Sequence, residues 1–341
     1  MSTRRVVAMG DPQAPFARVM DVLRARGLLS GDKLVDDVHL VVMGDYFDYG
    51  GKDDRTESAD ASAHLIAWLV SHAEEQVTLL CGNHDLARVG ELARFDDATF
   101  ARAQEEADKA YYDKAPARPE QAFKDEFDLP SWEICARDFC AFKERQRALV
   151  TDLLSARRLR AAFAPTANVL MVHAGVTSEA LDAAGAGEAK DARVMATALN
   201  RVFYAAFDAL RTKGAGEKLA IPGLHTPGDA KGEGTGIFYH RPALAPEKSP
   251  GRRFHPTSLP AGLTQVIGHI GDRKTRELLE ADPAAAKDGV LRHMIVQGKS
   301  VHYAHGLPDE VPEGAAAMIF TDGGMRTCEP EGYEVFTPRL A

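Results

Sequence analysis

Three short apolar segments near the start of the chain each end in a glycine that is followed by an acidic or amide residue. The segments are residues 5–9, 38–43 and 77–81, and they lead into Gly10-Asp11, Gly44-Asp45 and Gly82-Asn83. Apolar runs of this length are typical of buried strands. In parallel α/β sheets the loops beyond the carboxyl ends of the strands carry the polar groups, because the strands themselves stay packed. We therefore expect the three loops to meet at one sheet edge and to form a single site.

Helical patterns separate these strands. Apolar residues recur at helical spacing in residues 16–27, which close at Gly27, and a second helix is expected over residues 58–73. The order strand, helix, strand, helix, strand predicts parallel pairing through crossover helices. The chain is therefore predicted to be an α/β protein.

The regular pattern changes after the third strand. Residues 86–165 have little strand signal and consist of Ala-, Glu-, Lys- and Arg-rich stretches that prolines interrupt, so we expect a helical insertion packed over or beside the sheet edge. Residues 214–260 are rich in glycine and proline and lack periodicity, which is typical of a functional surface loop, here an active-site loop. We expect residues 1–341 to form a single domain that contains both segments.

Two more buried strands, over residues 168–172 and 264–267, end in His173 and His269. A long helix is expected over residues 188–213. Further strand patterns predict a second, more antiparallel sheet that packs on the first. These patterns lie near residues 290–296, 300–303, 316–321 and 333–336.

Composition restricts the classes of partner. The net charge is −9 and the sequence pI is about 5.8, without a dense block of lysine and arginine, so dedicated nucleic-acid binding is not expected. The sequence has no apolar run of membrane-spanning length and no signal-peptide pattern after Met1, and its four cysteines lack the spacing of a disulfide framework. We expect a cytoplasmic protein without a membrane partner.

Ligand-type side chains follow all five buried strands. They are Asp11, Gln13, Asp45, Asp48, Asn83, His84, His173 and His269. One such residue alone would be an ordinary turn or structural residue, but the set combines carboxylate, amide and imidazole groups. This mixture suits a pair of divalent ions such as Mn, Fe or Zn, which a shared carboxylate can hold about 3.5 to 4 Å apart. The sequence therefore predicts a site for two metal ions.

The ordered motifs around these residues make the chain similar to a known family. They are Gly10-Asp11-Pro12-Gln13, Gly44-Asp45-Tyr46-Phe47-Asp48-Tyr49-Gly50, Gly82-Asn83-His84-Asp85, His173-Ala174-Gly175, Gly236-Ile237-Phe238-Tyr239-His240-Arg241 and Gly268-His269. With them the chain resembles the calcineurin-like metallophosphoesterases, and within these the phosphoprotein-phosphatase-like branch that includes bacterial protein phosphatases and diadenosine tetraphosphatases. The resemblance implies a four-layer αββα sandwich of two mixed sheets with a helical insertion.

The resemblance also implies a role for each residue. The implied metal ligands are Asp11 and Gln13 for the first ion, Asp45 as the bridge, and Asn83, His173 and His269 for the second ion. A hydroxide that bridges the ions would attack phosphorus in line. His84 would protonate the leaving oxygen as general acid, Asp48 would orient its imidazole, and Arg241 would bind the phosphoryl oxygens. Manganese is the metal we expect, with iron, zinc and magnesium as alternatives.

Two positions depart from the family's pattern. Gln13 stands where the family usually has histidine, and its harder amide oxygen favours Mn or Mg at the first site. Tyr49 stands where the second motif normally ends in a phosphate-binding arginine, and a phenol brings no charge. Phosphate recognition is therefore expected from Arg241, with Arg55 and Arg88 as additional candidates.

Two polar residues near the motifs are not expected to bind metal. His225 lies in Leu224-His225-Thr226-Pro227, which looks like the family's last histidine motif but precedes Arg241 and does not follow a buried strand. We expect His225 to be a surface or substrate-loop residue. Asp85 is expected to cap the following helix or to support the ligands.

These features predict a metal-dependent phosphatase that hydrolyses phosphomonoesters. The substrate would be a phosphoprotein, carrying phosphoserine, phosphothreonine or phosphotyrosine, or a phosphorylated small molecule. An alternative hypothesis is hydrolysis of a dinucleotide polyphosphate or a cyclic nucleotide, which would use the same metal site. A third hypothesis is a non-catalytic scaffold of the same fold, which the presence of His84 and of the implied ligands disfavours.

Overall fold

The apolar segments form two sheets in the computed structural model, which describes residues 4–214 and 216–338. Residues 1–3, 215 and 339–341 of the predicted domain, including residue 215 of the predicted loop region, lie outside the described residues. The strands, in chain order, are β1 (Arg5–Met9), β2 (Leu29–Ser30), β3 (Lys33–Leu34), β4 (Val38–Val42), β5 (Val77–Leu80), β6 (Leu159–Arg160), β7 (Ala162–Phe163), β8 (Val169–Val172), β9 (His225–Thr226), β10 (Thr235–Gly236), β11 (Arg241–Pro242), β12 (Arg253–Phe254), β13 (Thr264–Ile267), β14 (Arg292–Gln297), β15 (Ser300–His305) and β16 (Ala316–Phe320).

Helices lie between the strands, and three of them fall in the segments predicted as helices over residues 16–27, 58–73 and 188–213. The helices are α1 (Phe16–Ala25), α2 (Arg55–Val70), α3 (Asn83–Ala87), α4 (Asp97–Tyr111), α5 (Glu120–Phe127), α6 (Glu144–Ser155), α7 (Ser178–Ala183), α8 (Ala192–Leu210) and α9 (Asp272–Leu278). Within the described residues, none of these helices is both long enough and apolar enough to cross a membrane.

The first sheet has the strand order β1-β4-β5-β6, and its neighbouring strands are all parallel. At its β1 edge, Ala8 and Phe336 form an isolated antiparallel bridge. A full strand was expected over residues 333–336, but Pro330 and Pro338 flank this segment and interrupt regular pairing. The second sheet has the order β15-β14-β16-β13-β8-β7 and is mixed, because β8, β13 and β16 are parallel whereas the other strands pair antiparallel.

Alternating apolar side chains join the two sheets. Val6 and Ala8 of β1 pack with Met171 of β8 and Val266 of β13 in one buried cluster. Because successive side chains of a strand point to opposite faces, Val7 lies in a different cluster, on the helical side of β1. The two sheets therefore pack face to face.

Helices cover the outer face of each sheet. α1 and α2 contact each other and bury Leu23 and Leu69 in the same cluster as Val7. α8 contacts β7 and β8 and buries Phe203 and Phe207. The layer order is helix, sheet, sheet, helix, so the predicted four-layer α/β fold is confirmed.

The segment predicted as a helical insertion, residues 86–165, has an apolar cluster of its own. α4, α5 and a π-helical turn (Ile134–Asp138) contribute residues such as Phe123 and Cys135 to this cluster. α6 packs instead into the core beneath the first sheet, and β6 and β7 belong to the two sheets. The helical part of the segment therefore ends with α6. The division of the chain into one domain with an insertion stays a prediction.

The segment predicted as a long active-site loop, residues 214–260, contains short ribbons. β9 pairs antiparallel with β10, and β11 pairs parallel with β12. Turns of 3-10 helix at Pro246–Lys248 and Pro256–Ser258 connect these strands to their neighbours. The ribbons fix the position of Arg241, the first residue of β11.

The separate cluster predicts that the α4–α5 region can open locally. Phe123 is fully buried there, so Phe123→Ala should cost about 3 to 5 kcal/mol of local stability. Hydrogen exchange should quicken in residues 97–142 and stay slow in β4 and β5. The matched variant is Phe203→Ala, on the buried face of α8, and it should instead quicken exchange in both sheets. If both variants lost protection from exchange in the same residues and to the same extent, the α4–α5 region would not be a separate unit.

Candidate active site

Five strand ends bring the ligand-type side chains together. β1, β4 and β5 reach this place from the first sheet, and β8 and β13 reach it from the second. A cavity of about 140 Å³ opens here, which we call the active-site cavity. The predicted site residues that line it are Asp11, Gln13, Asp45, Asn83, His84, Arg241 and His269. His173 lies directly behind them and contacts Asn83 and His269, whereas Asp48 contacts His84 from the side of the insertion.

Glycines at the strand ends leave room for the carboxylates. A Cβ atom on Gly82 would lie 2.1 Å from Oδ1 of Asp45, and one on Gly268 would lie 1.9 Å from Oδ1 of Asp11. Both distances are far inside van der Waals contact, so any larger residue would displace the carboxylate beside it. The glycines that mark the strand ends in the sequence therefore have a steric function in the site.

Asp85 connects two of the loops. Its carboxylate accepts hydrogen bonds from the backbone N–H groups of Gly82 at 2.7 Å, Asp45 at 2.9 Å and Tyr46 at 2.9 Å. Burial, followed by the charge of Asp45, raises the pKa of Asp85 to about 7, whereas the three amide donors lower it. Asp85 thus caps α3 and supports the Asp45 loop, as the sequence predicts, and its side chain does not line the cavity.

Asp45 itself has an uncommon backbone conformation. Its φ angle is +55°, and Asp48 and His269 also have positive φ angles, of +64° and +66°. Non-glycine residues rarely adopt this region unless the surrounding structure holds them there, and such residues concentrate at functional sites. The backbone N–H of His84 donates to Oδ1 of Asp45 at 2.9 Å, so that Oδ2 is directed toward His173.

The tautomer of His173 is determined by its partners. Nδ1 lies 2.8 Å from the backbone carbonyl of Met43, which can only accept, so Nδ1 carries the proton and Nε2 has a free lone pair. Three atoms surround Nε2: Oδ1 of Asn83 at 3.1 Å, Nδ1 of His269 at 3.1 Å and Oδ2 of Asp45 at 3.4 Å, and the two oxygens among them can only accept. Lone pairs that converge without enough protons between them favour a bound cation.

Several further properties fit a cation. Asp45, His173 and His269 each offer a ligand atom, and these atoms lie within 4.8 Å of one another. Oδ1 of Asp11 and Nε2 of His269 are buried without a hydrogen-bond partner among the described residues. Burial lowers the pKa of His173, and burial together with Arg241 lowers the pKa of His269, so both rings are neutral, which is the form that binds metal.

The carboxylates of the cavity repel one another. Burial, followed by the charges of Asp322 and Asp45, raises the pKa of Asp11 well above its usual value. Burial also raises the pKa of Asp322. Buried carboxylates that face each other need positive charge between them to stay ionised. The residues present therefore fit divalent metal ions.

Gln13 lines the cavity, and its hydrogen bonds identify its amide oxygen. Its Nε2 donates to the backbone carbonyls of Phe47 at 3.0 Å and Asp48 at 3.1 Å. Carbonyls only accept, so these two contacts assign the amide nitrogen and leave Oε1 free. An oxygen in this position agrees with the ligand role that the resemblance implies for Gln13, a role that stays a prediction.

His84 is oriented by a buried network. Its Nδ1 lies 3.0 Å from Oδ2 of Asp48, and Asp48 also accepts from the guanidinium of Arg88 and, at 2.9 Å, from the backbone N–H of Ala141. Burial lowers the pKa of His84, but the charges of Asp45 and Asp48 outweigh it and raise the value to about 9. Burial would raise the pKa of Asp48, yet Arg88 and His84 lower it to about 2. The network fixes Nδ1 and leaves Nε2 of His84 facing the cavity.

The two additional arginine candidates are engaged elsewhere, which corrects that expectation. Arg88 is fully buried and pairs with Asp48, and Arg55 pairs with Asp108 at 2.6 and 2.7 Å. Neither lines the active-site cavity, because buried guanidinium groups require carboxylate partners and find them here inside the protein. Tyr49 is also buried and does not line the cavity.

Arg241, the first residue of β11, lies in the cavity wall as the sequence analysis expects of a phosphate-binding residue. Burial lowers its pKa, and the nearby charge of Glu233 raises it. Among residues 4–214 and 216–338, no carboxylate oxygen lies within 4 Å of its guanidinium nitrogens, so the group is available for an anion.

His225 is buried, contrary to the expectation of a surface residue. Only 4% of it is exposed, and its ring stacks on Tyr239 with centroids 5.8 Å apart. Tyr239 in turn donates its hydroxyl to Glu91 at 2.8 Å and meets the ring of His269 edge-on. His225 therefore supports the cavity wall through Tyr239. In the sequence, the apolar residue Leu224 directly before it was the available signal of burial.

Several cavity residues escaped the sequence analysis. Asp322 directly follows the strand predicted over residues 316–321, and Tyr239 lies in the motif that ends at Arg241, so these positions were the available signal. Arg137 and Asp138 come from the π-helical turn of the inserted segment. No strand or motif marks that turn in the sequence, although π-helical turns are frequent at functional sites.

Comparison with known proteins gives one extensive match. A family model described as calcineurin-like phosphoesterase matches residues 4–201, which is more than half of the chain. No curated protein matches the chain.

Three solved structures also match. One is a point mutant of a cold-active protein tyrosine phosphatase, which is 15% identical with a TM-score of 0.33 and matches over 62% of this chain and 52% of that chain. A structure of cold-active protein tyrosine phosphatase at 1.1 Å is 16% identical with a TM-score of 0.33, over 62% and 51% of the two chains. A cold-active protein-tyrosine phosphatase of a psychrophilic Shewanella species is 16% identical with a TM-score of 0.32, over 62% and 52%. The chain spans about half the length of these solved chains.

The bonds of Asp85 predict a large effect for an isosteric change. In Asp85→Asn an amide NH₂ would face backbone N–H donors, so at least one of the three donors would lose its acceptor. We expect the free energy of unfolding at pH 8, measured with urea, to fall by about 2 kcal/mol or more. The exposed carboxylate of Asp288, which accepts from the Thr327 hydroxyl, supplies the control variant Asp288→Asn, with a change of about 0.5 kcal/mol or less. Similar losses in both variants would contradict a supporting role for Asp85.

Proposed function

Because the chain belongs to the calcineurin-like phosphoesterase family, we propose that it is a metal-dependent phosphatase that hydrolyses phosphomonoesters. The family accounts for the coarser activity, metal-dependent hydrolysis of phosphoesters. The finer proposal is supported by one observation: a cavity of about 140 Å³ has an oriented imidazole, that of His84, and an unpaired guanidinium, that of Arg241, in its walls.

Six residues would hold the metal ions. They are Asp11 and Gln13 at the first site, Asp45 between the two sites, and Asn83, His173 and His269 at the second. When bound, the ions polarise phosphoryl oxygens and make water more acidic, which supplies a nucleophile near neutral pH. The oxygen of Gln13 makes the first site all-oxygen on the protein side, which supports manganese as the proposed metal.

His84 supplies the proton in this proposal. Asp48 accepts from Nδ1, so the proton available to a substrate is the one on Nε2. That proton goes to the oxygen of the leaving alcohol as its bond to phosphorus breaks. Asp48 stabilises the protonated ring, and Arg88 keeps Asp48 ionised, so the orientation of the acid does not depend on the substrate.

Arg241 binds the phosphoryl oxygens in the same proposal. Its guanidinium is planar and can donate two parallel hydrogen bonds to a phosphate. Arg55 and Arg88 are paired with carboxylates inside the protein, so they do not compete for these oxygens. Arg241 therefore replaces the function that Tyr49 cannot provide.

The size of the cavity favours monoesters over larger substrates. Pockets that enclose a whole small ligand usually measure about 300 to 1,000 Å³, whereas this cavity measures about 140 Å³. It can enclose a phosphoryl group and the atoms next to it. A dinucleotide polyphosphate would place most of its atoms outside.

A substrate panel tests this function. We expect manganese-dependent release of phosphate from nitrophenyl phosphate and butyl phosphate, and at least about tenfold lower kcat/KM for bis-nitrophenyl phosphate and diadenosine tetraphosphate. Chelation with EDTA should abolish the activity and added Mn²⁺ should restore it, because in this proposal the bound ions supply the nucleophile. Strong hydrolysis of the diester or the tetraphosphate without monoesterase activity would overturn the proposal.

The acid role of His84 predicts a dependence on the leaving group. His84→Ala should lower kcat at least about a hundredfold for butyl phosphate, and much less for nitrophenyl phosphate, whose leaving group is stable without a proton. The amount of Mn²⁺ bound should not change, since His84 is not among the proposed ligands. His64→Ala, at an exposed histidine of α2, is the matched control and should have no effect. An equal loss with both substrates would show that His84 does not act as the acid.

A further inference from the structure

A second cavity adjoins the active-site cavity. It measures about 250 Å³ and lies between the π-helical turn, the ribbon of β11 and β12, and α9; we call it the arginine chamber. Arg137, Asp138, Glu233 and Arg241 line both cavities, so the two spaces are neighbours with Arg241 on their border.

The ion pairs of the chamber leave two arginines unpaired. Its carboxylates are Glu133, Asp138 and Glu233, and its cationic residues are Arg137, Arg241, Arg252, Arg253 and Lys274. Arg137 pairs with Glu133 and Asp138, and Arg252 pairs with Glu233, which uses all three carboxylates. Lys274 pairs with Glu277 on the exposed face of α9. Within the part of the chain that the structure describes, Arg241 and Arg253 have no carboxylate within 4 Å.

The two unpaired arginines are neighbours on one ribbon. Arg241 of β11 is directly opposite Arg253 of β12 in the parallel register. Side chains at paired positions of neighbouring strands point to the same face, and both of these line the chamber. The chamber therefore has more cationic than anionic side chains in its wall, five against three, and an anion would offset this excess of positive charge. The arrangement therefore favours a bound anion next to the site where the phosphoryl group would lie.

We propose that the arginine chamber binds a second anionic group of the substrate, so that the preferred substrates are small organic phosphates that carry a second phosphate or a carboxylate. This inference rests on the proposed phosphatase function and makes its substrate class narrower. Arg241 would contact the phosphoryl group that is cleaved, and Arg253 would contact the second anion. The planar donors of a guanidinium suit phosphate and carboxylate equally in shape.

Matched substrates test the inference. Butyl phosphate, butane-1,4-diol bisphosphate and 4-phosphooxybutyrate differ only in the group at the far end of the chain, and their three- and six-carbon analogues vary the spacing. With the manganese-loaded wild-type protein we expect kcat/KM for release of phosphate to be at least about tenfold higher for one of the two compounds with a second anionic group than for butyl phosphate. One additional charge-assisted hydrogen bond would give a difference of this size. The compound with the larger advantage identifies the second group as phosphate or carboxylate.

Variants locate the second site. The ratio compares kcat/KM for the preferred compound with two anionic groups with kcat/KM for butyl phosphate. Arg253→Gln should lower this ratio about tenfold, mainly by raising KM for the compound with two anionic groups. Arg273→Gln removes the same charge from an exposed neighbour on α9 that does not line the chamber, and its ratio should match wild type. Thermal melting of both variants shows whether they are folded. The wild-type comparison tests the preference without any variant.

The possible outcomes distinguish a failure of this inference from a failure of the proposed phosphatase function. Hydrolysis of butyl phosphate with equal kcat/KM for the compounds that have a second anionic group would overturn the role of the chamber. It would still support the phosphatase function. An advantage that persists in folded Arg253→Gln would also overturn it. No hydrolysis of any of these monoesters would overturn the proposed function itself.

Discussion

The buried carboxylate of Asp85 is the interaction on which the geometry of the site depends. It accepts from the backbone of Gly82, Asp45 and Tyr46, so it fixes the loop after β4 against the start of α3. A buried carboxylate is tolerated only where donors surround it, and backbone N–H groups supply these donors without a competing charge. The same bonds hold Asp45 at a positive φ angle, a conformation that costs about 1 to 3 kcal/mol and persists only where the surroundings determine it. Asp45 and Gly82, the residue before Asn83, are therefore both bonded to the same carboxylate.

A second buried network connects the segment predicted as an insertion to His84, the proposed general acid. Asp48 accepts from His84 and Arg88, and also from the backbone of Ala141. Arg88 is further bonded to Gln146, in the first turn of α6. The orientation of the His84 ring therefore depends on contacts from both the strand ends and the segment between α4 and α6. The segment predicted as an insertion is therefore part of the geometry of the site even though its apolar cluster is separate from the core between the sheets.

The sequence predicted the two-sheet fold and the meeting of the strand ends, because both follow from local patterns. Carboxyl ends of parallel strands necessarily lie at one edge, so Asp11, Asp45 and Asn83 could be brought together without knowledge of the packing. The fate of Arg88 could not be predicted in this way, because a long side chain selects its partner only after the tertiary neighbours are in place. His225 was misplaced for a related reason: a polar residue in a Gly- and Pro-rich segment looks exposed, whereas stacking on an aromatic ring buried it.

The charges around the cavity would orient the proposed substrate. The floor of the cavity is acidic, with Asp11 and Asp45, and becomes attractive to phosphate only when cations neutralise it. The chain as a whole carries a net charge of −9 and does not attract anions from a distance. Recognition must therefore act within a few ångströms, inside the screening length of about 8 Å at physiological salt. Arg241 lies on the border between the acidic floor and the arginine chamber. A substrate whose phosphoryl group lay at the floor would therefore have its second anionic group on the side of Arg253. In this proposal the order of charges from Asp11 and Asp45 to Arg253 determines which end of a substrate with two anionic groups is cleaved.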